Sequence, residues 1–143
     1  MKQTQLWVFL ILMLSTTVAI NFVQQSRAFP SSFEKNFAGT GVVEDIQSHG
    51  SRCTLKVALY DWLNLSKGFP LTEIPSRNDR FLIVGENDLC NAAMVASTTA
   101  NGHIAFSAGS VKNKWYLTEN PIAGAGCGGL AINWQPDPEI IRN

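Results

Sequence analysis

RFLIVGENDLCNAAMVASTTANGHIAFSA, residues 80–108, is the stretch whose reading decides the fold. Phe81-Leu82-Ile83-Val84 is a short apolar, partly β-branched run closed by Gly85, as in a buried strand. Asn87 or Asp88 can cap a helix by accepting the free N–H groups of its first turn. Leu89, Ala92, Ala93, Ala96 and Ala100 then recur at helical spacing, one apolar stripe made mostly of alanine. Asn101-Gly102 supplies a left-handed stop, after which Ile104, Phe106 and Ala108 alternate with Ala105 and Ser107 as in a strand. Strand, helix, strand is the expectation, with the alanine face letting the helix lie close to its support.

Upstream of this unit, Thr40–Gln47 reads as a strand and Ser48-His49-Gly50-Ser51 as its turn. In Arg52–Trp62, Cys53, Leu55, Val57 and Leu59 share one face while Thr54, Lys56, Ala58 and Tyr60 share the other. These two strands form a hairpin with one core-facing side. Residues 63–79 hold two prolines, a glycine and no sustained period, so they read as a long loop. Asn64-Leu65-Ser66 within it is a glycosylation acceptor only in a eukaryotic host. Residues 29–38 read as a loosely held lead-in to the first strand.

Downstream, Lys114–Leu117 reads either as a short strand or as part of a loop. The four glycines of 124–129, GAGCGG, permit a sharp return. They lack the lysine-serine or lysine-threonine pair of a phosphate cradle. Leu130, Ile132 and Trp134 alternate as a last strand, ended by Gln135-Pro136-Asp137-Pro138. The whole is mainly β with one helix: a small five-stranded OB-like barrel with the helix between strands 3 and 4.

In that strand order, the N-D-L-x-x-A-A-x-x-A…A-N-G helix from Asn87 to Gly102 resembles the OB-fold binding subunits of bacterial AB toxins, the subtilase-cytotoxin and pertussis-like groups. The resemblance implies a secreted, non-catalytic module that recognises a glycan or cell-surface protein. It also implies a ring of identical subunits whose helices line the central pore. No sugar-contact residue carries across. Within the proposed barrel, strand 2 begins at the end where strand 3 finishes. This places Cys53 near Cys90 and leaves Cys127 free, unless Cys53 is an inward-facing core thiol.

The N-terminus bears on compartment. Lys2, the apolar run 6–14, and Ser26 and Ala28 at −3 and −1 of a cut before Phe29 describe a signal peptide over residues 1–28. The alternative is an uncleaved anchor, because Leu6 to Val23 approaches the ~18 apolar residues of a membrane span. Membrane association is expected only in that case, and residues 29–143 form one secreted or periplasmic domain. Three cysteines suit an oxidising compartment, and none lies in a C-x-x-C element or a zinc or haem signature. No metal or cofactor is expected. Lysine and arginine number 11, aspartate and glutamate 11, without a basic cluster, so nucleic acid is not an expected partner. Removing residues 1–28 would take away Lys2 and Arg27 and leave the domain mildly acidic.

Catalytic constellations are sparse. Cys53 or Cys127 with His49 or His103 is the formal nucleophile–base combination of a small extracytoplasmic enzyme or inhibitor. His103, just past the helix stop, can instead interact with the helix's negative end. Glu44 and Asp45 are adjacent on a strand and do not make a carboxylate pair. The stronger binding candidates are Trp62, Phe69, Trp115 and Tyr116 with Lys114 and nearby Lys112, aromatic rings in or beside long connections. Plugging the ends of the barrel is their alternative use. Retention of residues 1–28 would instead make the chain an anchored accessory protein.

Overall fold

The computed structural model describes residues 28–124 and 135–137. Its elements run β1 (Lys35–His49), β2 (Arg52–Leu65), β3 (Arg80–Glu86), α1 (Asp88–Thr99), β4 (His103–Val111), β5 (Lys114–Leu117) and β6 (Ile122–Ala123). A single 3-10 turn, Leu71–Glu73, interrupts the connection from β2 to β3. Strands β1, β2, β3, β5 and β4 are hydrogen-bonded in that order, and β4 pairs back on β1. The result is a closed five-stranded OB-like barrel, with α1 between strands 3 and 4. All barrel pairings are antiparallel except β3–β5, where Ile83 meets Trp115 and Val84 meets Tyr116 in parallel register.

Closure depends on the curvature of the first two strands. The β1–β2 register slips between Ala38 and Gly39, Thr40 and Gly41, and Val43 and Asp45. Each bulge increases local twist and bend, so β1 can hold β2 along one edge and β4 along the other. Gly41 permits the closest approach: a Cβ there would lie 2.4 Å from the carbonyl oxygen of Ala58.

The interior follows the alternation of β2. Cys53, Leu55, Val57 and Leu59 are all buried, joined by Ile83, Ile104, Phe106, Ala108 and Leu117. On β3 the expectation of a uniformly buried run is corrected: Ile83 is fully buried while Leu82 is 64% exposed. A barrel wall has one inner face, and successive strand residues must alternate across it.

One barrel end is closed by α1. Cys90, Ala93 and Ala96 are its buried residues, so the contact line is rotated from the expected stripe, and Leu89, Ala92 and Ala100 are half-buried at its margins. The rotation follows from the disulfide, which binds Cys90 to Cys53 beneath the helix. Asn87 stands at the N-cap without a side-chain cap hydrogen bond, against expectation. Its φ of 49° departs from the extended backbone that a side-chain cap requires. The C-terminal stop is as expected: Asn101 and Gly102 both have positive φ, and Gly102 N–H donates to the Ser97 carbonyl at 2.7 Å.

The opposite end is closed by rings. Phe37 packs on Phe81, Phe106 and Trp115 with centroids 5.2, 5.6 and 5.0 Å away. Residues 66–79 fold over this end, with Phe69 buried against it and Glu73 paired with Lys35. Residues 29–38 are not loose. Phe29 and Phe33 pack on Tyr116, and Glu34 N–H donates to the Ser110 carbonyl at 2.9 Å.

The fifth barrel strand is Lys114–Leu117, the segment that the sequence left between strand and loop. It follows β4 through a hairpin. Lys112 and Asn113, with φ of 48° and 60°, turn β4 directly into β5. β6 adds a further short pairing at Ile104–Ala105 of β4. The expected strand at Leu130–Trp134, Cys127 (expected to be free), most of the glycine run and residues 1–27 of the expected signal peptide 1–28 lie outside the described residues.

Candidate functional site

The outer surface of β1 carries a cleft of about 370 Å³. Its floor is Ala38, which lies in register between Asn64 of β2 and Ser107 of β4. A methyl group at the centre of this row leaves room that a larger side chain would fill. Asn64 and Ser107 both line the cleft, one on either side of it.

The walls are fixed by the backbone. Asn36 N–H donates to Ser66 Oγ at 3.0 Å, and Ser66 N–H donates to the Asn36 carbonyl at 2.9 Å. This reciprocal clasp ties the start of β1 to the end of β2. On the far side, Thr118 N–H donates to the Ser107 carbonyl at 3.1 Å, bringing Thr118 and Glu119 alongside. Ser107 Oγ then donates to Glu119 Oε2 at 3.3 Å. Phe33 supplies an aromatic wall, held by Tyr116 at 6.3 Å between centroids. The cleft thus offers amide, hydroxyl and carboxylate groups beside one ring. It can exchange hydrogen bonds with a polyhydroxylated ligand while covering one of its apolar faces.

The residues singled out from sequence separate into different environments. Tyr116 lies on the outer wall and supports Phe33. Trp115, its neighbour, points the other way and joins the Phe37–Phe81 ring cluster. Phe69 is buried at the same end, and Lys35 Nζ stands 5.9 Å from its centroid and 5.7 Å from that of Trp115. Trp62 is partly exposed on β2, and Lys114 and Lys112 are exposed at the β4–β5 turn. Phe69 and Trp115 therefore plug the barrel, and the set does not converge on one patch. Asn36, Ser107, Thr118 and Glu119 were not legible as site residues. Common polar residues become a site only when three strands and a following loop place them together.

Cys53 cannot act as a thiolate nucleophile, because it is bonded to Cys90. This pairing is the one expected from the strand order, and it overturns the Cys53–histidine reading. His103 is buried, with its backbone N–H donating to the Ala100 carbonyl at the helix end at 3.0 Å, whereas His49 is exposed at the β1–β2 turn. Glu44 is engaged by Arg80 and Lys56, and Asp45 accepts from Gln47 Nε2 at 2.9 Å. Among the described residues, no group of three histidine, cysteine, aspartate or glutamate side chains could hold a metal ion.

The disulfide is compatible with an oxidising compartment. No helix among the described residues is long and apolar enough to cross a membrane. Comparison with known proteins finds no matching family model, no matching curated protein and no matching solved structure.

Proposed function

We propose that this chain is a secreted or periplasmic, non-catalytic binding module that recognises a glycan on a cell surface, through the cleft floored by Ala38. The observation that carries this reading is the Asn64–Ala38–Ser107 row, flanked by Glu119 and the Phe33 ring. A sugar presents hydroxyls that donate and accept at once, and apolar C–H faces that stack on a ring. Amide, hydroxyl and carboxylate groups around one phenyl ring match both needs. The closed barrel suits the task because its walls hold these groups without further ordering on binding, which lowers the cost of association.

The resemblance to the toxin binding subunits points the same way and adds self-assembly into a ring. The exposed side of α1 is the natural contact for that assembly. Met94 and Val95 on the helix and Ile122 on β6 are all exposed there.

The test is a glycan array probed with the mature protein and with an Ala38→Leu variant. Leucine would occupy the floor between Asn64 and Ser107 without entering the barrel core. The wild type is expected to bind a discrete set of glycans that Ala38→Leu loses, with melting temperature retained. Equal binding by both proteins would remove the cleft as the site. The absence of any glycan signal from the folded wild type would remove the glycan as the ligand.

A further inference from the structure

A second polar site lies on the outer face of β1, β2 and β3, and a piece of this chain lies beside it. Residues 135–137 line a cleft together with Glu44, Lys56 and Arg80. The backbone N–H, the carbonyl and one carboxylate oxygen of a single residue, Asp137, are matched there. Its N–H donates to Asn78 Oδ1 at 3.2 Å. Asn78 Nδ2 donates to its carboxylate Oδ2 at 2.8 Å. Arg80 Nη2 donates to its carbonyl oxygen at 2.6 Å.

The receiving groups are also held by the barrel. Asn78 holds a φ of 71°, and its N–H donates to the Leu59 carbonyl at 2.8 Å, which fixes the turn that presents its amide. Arg80 Nε donates to both oxygens of Glu44 at 3.2 and 3.1 Å, and Nη1 donates to the Asn78 carbonyl at 3.2 Å. Its guanidinium is therefore aimed before any segment arrives. Lys56 lies 3.6 Å from the same Glu44, which keeps that carboxylate in place beside Arg80. On the ligand side, Asp137 stands between Pro136 and Pro138 in the sequence. The residue before a proline is confined to extended backbone, and extended backbone is what lets one residue present N–H, C=O and carboxylate together.

We propose that Asn78 and Arg80 form an aspartate-reading peptide site, occupied in cis by Gln135–Asp137 and able to take an extended acidic peptide in trans when that segment leaves. The site lies away from the Ala38 cleft and stands or falls independently of glycan binding. The segment then acts as a built-in competitor: peptide binding in trans requires its displacement.

The test uses the full chain labelled with ¹⁵N and the acetylated, amidated peptide Gln-Pro-Asp-Pro as probe. The readouts are the Arg80 Nε–H and Asn78 side-chain amide resonances. In an Asp137→Ala variant, loss of the carboxylate contact weakens the hold of the chain's own segment. The peptide should then shift both resonances saturably, with an apparent affinity about tenfold or more above that for the wild type. The same peptide with alanine for aspartate should give no saturable shift. Adding Asn78→Gly, which keeps the positive φ but removes the amide, should abolish the Arg80 response with the fold intact. Failure of the peptide to saturate Asp137→Ala would overturn the proposal. So would equal response to the alanine peptide, or binding that survives Asn78→Gly.

Discussion

At the residue scale, Gly85 shows what a sequence does not reveal by itself. A Cβ there would stand 3.1 Å from the sulfurs of both Cys53 and Cys90 and 3.1 Å from Leu117 Cδ1. Three neighbours from three elements meet at this one hydrogen atom, and two of them are locked in a covalent bond. Gly85→Ala should therefore destabilise the protein by about 1–3 kcal/mol, read as a lowered melting temperature. A melting curve that superimposes on the wild type would mean the disulfide can shift aside. Ser110 presents the opposite case, because its buried hydroxyl has no hydrogen-bond partner among the described residues. Ser110→Ala removes that unmet need and is expected to leave stability unchanged or raise it by about 1 kcal/mol in chemical denaturation. The Cys53 position was legible because alternation along β2 assigned it a face. The need for glycine at 85 was not, since it arises only where β2, α1 and β5 converge on β3.

At the element scale, α1 was legible in existence and, apart from a small offset, in rotation. Of the expected stripe, Ala93 and Ala96 are buried while Leu89, Ala92 and Ala100 stand half-buried at its margins. The bond from Cys90 to Cys53 accounts for the offset, because it adds Cys90 to the buried side. Ala96→Arg should unfold the protein or cost about 3 kcal/mol or more, because a long cation is forced into a closed contact. Thr98 is exposed, its hydroxyl donating to the Met94 carbonyl at 2.8 Å. Thr98→Arg should stay within about 0.5 kcal/mol of wild type. Paired thermal melts decide the matter, and an unchanged melt for Ala96→Arg would contradict the packing described. β5 was less legible for a different reason. Four residues are too short to display a period, and its partners β3 and β4 lie far away in sequence, so only closure of the barrel makes Lys114–Leu117 a strand. Likewise, the rings of Phe69 and Trp115 carry no local mark that separates a barrel plug from a ligand contact.

At the scale of the whole molecule, covalent and apolar surfaces bear on different equilibria. The Cys53–Cys90 bond spans 37 residues and joins the start of β2 to the first turn of α1. Chain entropy assigns such a loop about 3–4 kcal/mol, so reduction should lower the stability of the protein by that order. The proposed assembly would draw on another surface. Val95 and Ile122 are 67% and 69% exposed, on either side of an apolar groove formed with Ala92, Ala96 and Pro121. A stable contact between proteins commonly covers about 800 Å² per partner and places apolar side chains at its centre. If α1 faces a neighbouring subunit in a ring, Val95→Glu places an unpaired charge within that centre. The variant should then be monomeric in native mass measurement at concentrations where the wild type is assembled. Its melting temperature at low concentration should match that of the dissociated wild type, because Val95 does not pack into the barrel. A wild type that stays monomeric at every concentration would refute the ring and leave the Ala38 cleft to be judged on its own. An assembled Val95→Glu would instead move the contact to another face of the barrel, since a buried glutamate without a partner could not be tolerated at the helix.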